Sequence, residues 1–214
     1  MKLSNFLLSI IAASLLSLTT YSSAIFFKVD TTPKISVGNS SSGYIQAELP
    51  SKLTDRQAQV LSLAYNIAKV DGHKDPKLLQ AIVYQESKAG QFPSYKVAGQ
   101  SYGLTTNNRY YGLSQIKLSA AKDVLKRWPE MKGEFKFQTD TDEEIIAKLI
   151  ENDKFNLSVA SKYLLLMSSS YGYSGIREIA LAFNQGPGGA KKFNSNDHPY
   201  SNGVVNNLKF LNDI

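Results

Sequence analysis

The sequence predicts a mainly α domain with an irregular loop or small β region inserted after its second helix. Three observations predict it. Apolar residues recur at three- and four-residue spacing in several stretches, as in Leu79, Ile82 and Val83 and again in Val159, Ala160, Tyr163, Leu164 and Met167. Sustained two-residue alternation is scarce, so strands have little support. A run rich in Gly, Ser, Tyr and Asn, from Ala89 to Asn108, interrupts the helical pattern. Irregular segments of that length are uncommon inside compact domains and are often functional.

The elements follow in order. Residues 1–24 read as an export signal: Lys2 supplies the positive end, Phe6 to Leu18 is a short apolar run, and Ser22-Ser23-Ala24 offers small residues for cleavage. The run is short for a bilayer span, which needs about 20 apolar residues. No stable membrane span is expected once the signal leaves. Residues 25–52 are polar and serine-rich and read as a linker or N-terminal arm. The globular domain is expected over 53–214. Thr54-Asp55-Arg56-Gln57 is a capping-box pattern that opens a helix to about Val70. Asp75-Pro76 offers N-cap and first-turn chemistry for the next helix. A helix from about Ser119 to Arg127 stops before Pro129. Asp140, Asp142, Glu143 and Glu144 crowd the start of another, where acids are favoured. Asn156 heads the stripe that ends at Met167. The last strong helix is expected from Ser174 to about Asn184, ended by Gly186-Pro187-Gly188-Gly189.

Composition narrows the chemistry. The chain has 214 residues, 43% hydrophobic and 20% charged, which suits one domain with a proper core and extra segments at its ends. It has no cysteine, which removes disulfides, thiolate metal sites and a Cys nucleophile. His73 and His198 lie in polar stretches without partners at metal spacing and are expected at the surface. No metal or cofactor is implied, and no phosphate-binding glycine loop occurs. The formal charge of +6 becomes +5 when Lys2 leaves with the signal. A moderate positive charge suits an anionic polymer. Basic residues are not clustered among aromatics, so nucleic acid is not expected. Export points to the cell wall instead, in the periplasm or beyond.

Glu86 is the residue that carries chemistry. With Leu79, Ile82 and Val83 it shares one helix face, so an acid closes an apolar stripe. Burial disfavours its charged form and raises its pKa, and the negative end of the helix dipole acts in the same direction. A carboxyl kept protonated near neutral pH is what a general acid requires. The alternative is a structural Glu bonded to backbone donors. From Ser87 through Lys122 there is no Asp or Glu. A two-carboxylate glycosidase would place its second acid in such a region. A lone acid/base remains workable where the substrate brings its own nucleophile, as the C6 hydroxyl of N-acetylmuramic acid does when it closes on C1.

Four ordered blocks then resemble the soluble lytic transglycosylase family, whose catalytic domain is lysozyme-like. They are Gln85-Glu86-Ser87, Gly112-Leu113-Ser114-Gln115-Ile116, the helix from Asn156 through Tyr163-Leu164, and Ala182-Phe183-Asn184-Gln185-Gly186-Pro187-Gly188. Each block alone is weak, and their order is the specific signal. The likeness spans roughly Asp75 to Leu208.

The resemblance implies Glu86 as sole acid/base. It also implies that Ser87, Tyr111, Gly112, Gln115, Tyr163, Phe183, Asn184 and Tyr200 bind or position substrate. Gln115 would bond a sugar N-acetyl or hydroxyl group, Asn184 would lie near Glu86, and Gly112 would allow close backbone approach. Tyr111 and Tyr110 would stack on sugars or pack the loop.

Three departures stand out. Ser114 replaces the family's Met, where it would change how a glycan ring packs. Phe183 replaces its Tyr, which leaves Glu86 less supported or supported by another tyrosine. The span from Glu86 to Gly112 is also long, and its extra loop from Pro93 to Asn108 could cap the cleft or dock a partner.

The implied activity is cleavage of the MurNAc–GlcNAc β-1,4 bond of peptidoglycan with 1,6-anhydro-MurNAc formation. Two other readings stand beside it. One is a lysozyme-type muramidase, using a further carboxylate such as Asp123 or a water held by Glu86 alone. The other is a catalytically degenerate wall-binding module serving a secretion or conjugation apparatus.

Overall fold

A computed structural model describes residues 52–92, 97–98, 106 and 109–213. The expected signal, nearly all of the expected arm and most of the Pro93–Asn108 loop lie outside the described residues. The described chain is mainly α with a small antiparallel sheet. Eight helices occur in it: α1 (Asp55–Val70), α2 (Lys77–Ser87), α3 (Leu118–Arg127), α4 (Glu130–Glu134), α5 (Asp142–Glu151), α6 (Asp153–Ser169), α7 (Ile176–Ala190) and α8 (Pro199–Asp213). None of them is long and apolar enough to cross a membrane.

The helix starts follow local chemistry. Thr54 caps α1 by accepting from the Gln57 N–H, and the Gln57 side chain accepts from the Thr54 N–H, as the sequence pattern suggested. Helix α2 begins one residue later than expected: Pro76 is its N-cap, and the Asp75 carboxylate accepts from the Lys77 N–H at 3.0 Å. Thr141 caps α5 and Asn152 caps α6, each through its side-chain oxygen. Helix α7 runs past Asn184 to Ala190 across a kink at Gly186, whose φ of 74° leaves the helical region. The expected stop is therefore a bend, and Tyr173 fixes it by donating to the Pro187 carbonyl at 2.6 Å.

Helix α8 was not expected from the sequence. Gly203 and its neighbouring asparagines lower its intrinsic propensity. Its buried residues Tyr200, Val204, Asn207, Leu208 and Leu211 nevertheless form one helical stripe, and tertiary packing stabilises it. That stripe packs on α2, with Tyr84 and Phe210 ring centroids 5.5 Å apart.

Strands β1 (Val97–Ala98), β2 (Tyr110–Tyr111) and β3 (Ile116–Lys117) form an antiparallel sheet in that order. Tyr111 pairs with Val97 and Ile116, and Tyr110 pairs with Lys117. The sheet joins the helical body through Asn156, which is fully buried on α6. Its amide donates to the Tyr111 and Leu149 carbonyls, and its oxygen accepts from the Ser114 N–H and hydroxyl. Gly112 makes this approach possible. Its φ is 71°, and a Cβ there would sit 2.2 Å from both the Asn156 amide nitrogen and the Leu149 carbonyl oxygen.

Neither histidine is a free surface residue. His73 is half-buried and its Nε2 meets the Ser161 hydroxyl and carbonyl, beside Asp71, which accepts from Ser161 and Lys162. This cluster ties the end of α1 to α6. His198 Nδ1 accepts from the Tyr200 N–H at 3.2 Å and thereby helps to start α8.

Candidate active site

Helix α2 delivers Glu86 from its last turn. Leu79, Ile82 and Val83 are wholly buried on the same stripe, which holds the helix face against the core. Beyond Glu86 the helix ends abruptly. Lys88, Ala89 and Gly90 follow in succession with φ of 50°, 54° and 86°. Two non-glycine residues in the left-handed region are an uncommon backbone state. Ser87 holds this reversal together. Its hydroxyl donates to the Val83 carbonyl at 3.2 Å and accepts from the Gly90 N–H at 3.0 Å. The Gln57 amide of α1 donates to the Lys88 carbonyl and clamps the turn from outside.

Glu86 itself is part-buried and opens on a cavity of about 280 Å³. The wall opposite α2 comes from Tyr110 of β2, Gln115 in the β2–β3 turn, Lys117 of β3, and Ser119 and Asp123 of α3. Tyr163 of α6, and Phe183 and Asn184 of α7, complete it. Gln115 sits at φ 49°, and its side-chain amide donates to the Gly112 carbonyl at 2.8 Å. Tyr163 and Phe183 meet edge to face at 5.7 Å and form an apolar floor.

The electrostatics centre on one contact. The Tyr200 hydroxyl, from the first turn of α8, donates to Glu86 Oε1 at 2.5 Å. Burial lifts the Glu86 carboxyl from its ordinary 4.5 to about 7, while the bond from Tyr200 pulls it down. Burial first, then the charge and hydrogen bonding of Glu86, hold the Tyr200 phenol well above its usual range. Tyr200 is therefore a neutral donor throughout the range in which Glu86 titrates. Burial, and then the charge of Asp123, push Tyr163 up to about 12, so it too is neutral. An acid half-protonated near neutral pH can give a proton and take one back with little penalty either way.

Glu86, Gln115, Tyr163, Phe183 and Asn184 line one cavity, and Tyr200 reaches it through Glu86. Ser87, Tyr111 and Gly112 do not. Ser87 is buried and spends its hydroxyl on the helix end. Tyr111 is 2% exposed and donates to the Thr106 carbonyl. Strand alternation turns Tyr111 inward and leaves Tyr110 to face the cavity. Gly112 serves the approach of Asn156. Ser114 is also fully buried, so the position expected to touch a glycan ring instead bonds Asn156.

Lys117 and Ser119 also line the cavity but lie outside the four blocks, and Gln185 lines it from within the last block, where the sequence gives it no role of its own. The pairing of Lys117 with Tyr110 across β2–β3 brings it to the cavity, and strands of two residues leave almost no periodic signal. No known family model, curated protein or solved structure matches the chain.

Proposed function

We propose that the chain is an exported peptidoglycan lytic transglycosylase with a lysozyme-like catalytic domain. The observation that carries the reading is a part-buried carboxyl of pKa about 7, held by a tyrosine and facing a cavity of mixed aromatic and amide lining. Amides and aromatic faces suit a sugar bearing N-acetyl groups. The ordered blocks of the sequence favour the same reading, since Glu86, Gln115, Tyr163 and Asn184 converge on one cavity.

In this reaction protonated Glu86 gives its proton to the oxygen joining C1 of N-acetylmuramic acid to N-acetylglucosamine. The C1–O bond breaks and its electron pair stays on the leaving oxygen. The C6 hydroxyl of the same muramic residue bonds to C1, and its proton passes to the Glu86 carboxylate. The acid is regenerated and no water is consumed. Tyr200 steadies Glu86 in its ionised interval by donating to Oε1. It thereby occupies the role left open by Phe183. Digestion of purified peptidoglycan tests the reading. Products lighter by one water than hydrolytic ends, absent with Glu86→Gln, are expected. Reducing ends alone would overturn it.

A muramidase is the second reading. The observation favouring it is Asp123, a second carboxylate on the wall of the same cavity.

A further inference from the structure

We propose that Lys117 is the residue through which this cleft recognises a carboxylate carried by its saccharide. The proposal rests on the glycan reading above and deepens it. Lys117 is the one cation among the described residues that line the cavity with Glu86. Its position is built rather than incidental. Lys117 and Tyr110 are register partners across β3 and β2, so both side chains leave the same face of the sheet. The ammonium lies 5.0 Å from the Tyr110 ring centroid, which holds it over an aromatic face at the cleft wall.

Among the described residues that ammonium has no carboxylate of its own. It enters none of the ion pairs among the described residues, although Asp123 lines the same cavity. Nor does it tune the acid: burial and Tyr200 account for the protonation of Glu86. An aromatic ring beside a cation that pairs with no carboxylate among the described residues fits a sugar ring that bears an anionic arm. In wall polymer the muramic residue is the sugar with such an arm. The carboxylate belongs either to its lactyl group, when free, or to the peptide attached there.

The test measures binding to the full chain carrying Glu86→Gln, so that no turnover intervenes. Three forms of one N-acetylglucosamine–N-acetylmuramic acid tetrasaccharide are compared by calorimetry. The first has free lactyl carboxylates, the second has them capped as methylamides, and the third carries a dipeptide ending in glutamic acid. Lys117→Met and Lys117→Gln are each expected to weaken binding of the first form, the third, or both by roughly tenfold, as for one charge-assisted contact. The methylamide should be unaffected, and Lys117→Arg should retain affinity. Which anionic form responds identifies the source of the carboxylate. Without any change at Lys117, added salt should weaken the anionic forms and spare the methylamide. Equal loss on all three forms, or loss on none, overturns the proposal. If none of the three binds even before Lys117 is changed, the glycan reading itself falls and takes this inference with it. Glycan lysis by wild type together with equal loss on all forms overturns the Lys117 role alone.

Discussion

The Tyr200 hydroxyl bonds Glu86 Oε1 at 2.5 Å across 114 positions of sequence, joining the first turn of α8 to the last turn of α2. Two helix ends thus meet at one carboxyl. The bond favours the ionised form of Glu86 while burial opposes it, and the balance leaves the acid near neutrality. Removing the hydroxyl removes only the downward pull. Tyr200→Phe should therefore shift the Glu86 limb of the pH–rate profile above about 7. Turnover at pH 6–7 should fall roughly 10- to 100-fold, the usual scale for a group supporting acid–base transfer. A pH–rate profile of glycan release checks this. An unmoved limb would show that the bond does not set the acid.

The same carboxyl couples stability to pH. Folded Glu86 titrates at about 7, against an ordinary 4.5. Between those values the folded state holds more proton than the unfolded chain, so stability falls as pH rises. The contribution is complete below about 4.5 and lost above about 7. Full burial would make that interval worth about 3 kcal/mol, and the part-open cleft reduces it to ~1–3 kcal/mol. Glu86→Gln cannot titrate and still offers an oxygen to Tyr200. It should gain ~1–3 kcal/mol on wild type between pH 4 and pH 8. Urea denaturation at the two pH values measures the gap, and a constant gap counts against a raised Glu86.

How much of this was legible beforehand depended on distance along the chain. The α1 cap lies within four residues and was read from Thr54 to Gln57. The burial of the Glu86 face follows from the eight-residue stripe Leu79 to Glu86. The bond to Tyr200 has no local signal, and the helix carrying Tyr200 was hidden by the poor propensity of Gly203 and its asparagines. Adjacency in a motif also fails to give direction. Ser87 follows Glu86 in sequence yet closes the helix, and Tyr111 turns inward where Tyr110 turns out. Residues from all four blocks reach one cavity, whereas pairing and packing decide which of their residues face it.

Asn156 illustrates a residue that shapes the site without lining it. Its side chain satisfies the Tyr111 and Leu149 carbonyls and accepts twice from Ser114, all in the buried seam between sheet and helices. Asn156→Ala leaves these groups unpaired and opens a void. It should cost ~2–4 kcal/mol and loosen the turn that holds Gln115. Ser114→Ala removes only the hydroxyl contact of 2.6 Å and should cost about 1 kcal/mol. Urea denaturation of both variants, with glycan release measured alongside, tests the ranking. Equal losses would mean the network is not centred on Asn156.

Asp123 separates the two catalytic readings. It is exposed on α3 and lines the cavity of Glu86, so a hydrolase could use it to position water or stabilise charge at C1. In the transglycosylase reaction the C6 hydroxyl replaces that water, and Glu86 handles both proton transfers. Asp123→Asn should then keep anhydro products and hold turnover within about threefold of wild type, since no proton passes through it. It should also lower the pKa of Tyr163, because the charge of Asp123 contributes to raising that phenol. Ultraviolet titration of the tyrosines reports that shift independently of activity, and so shows that the substitution reached the cleft. Loss of turnover by roughly 100-fold or more would assign Asp123 a place in the chemistry and favour the muramidase.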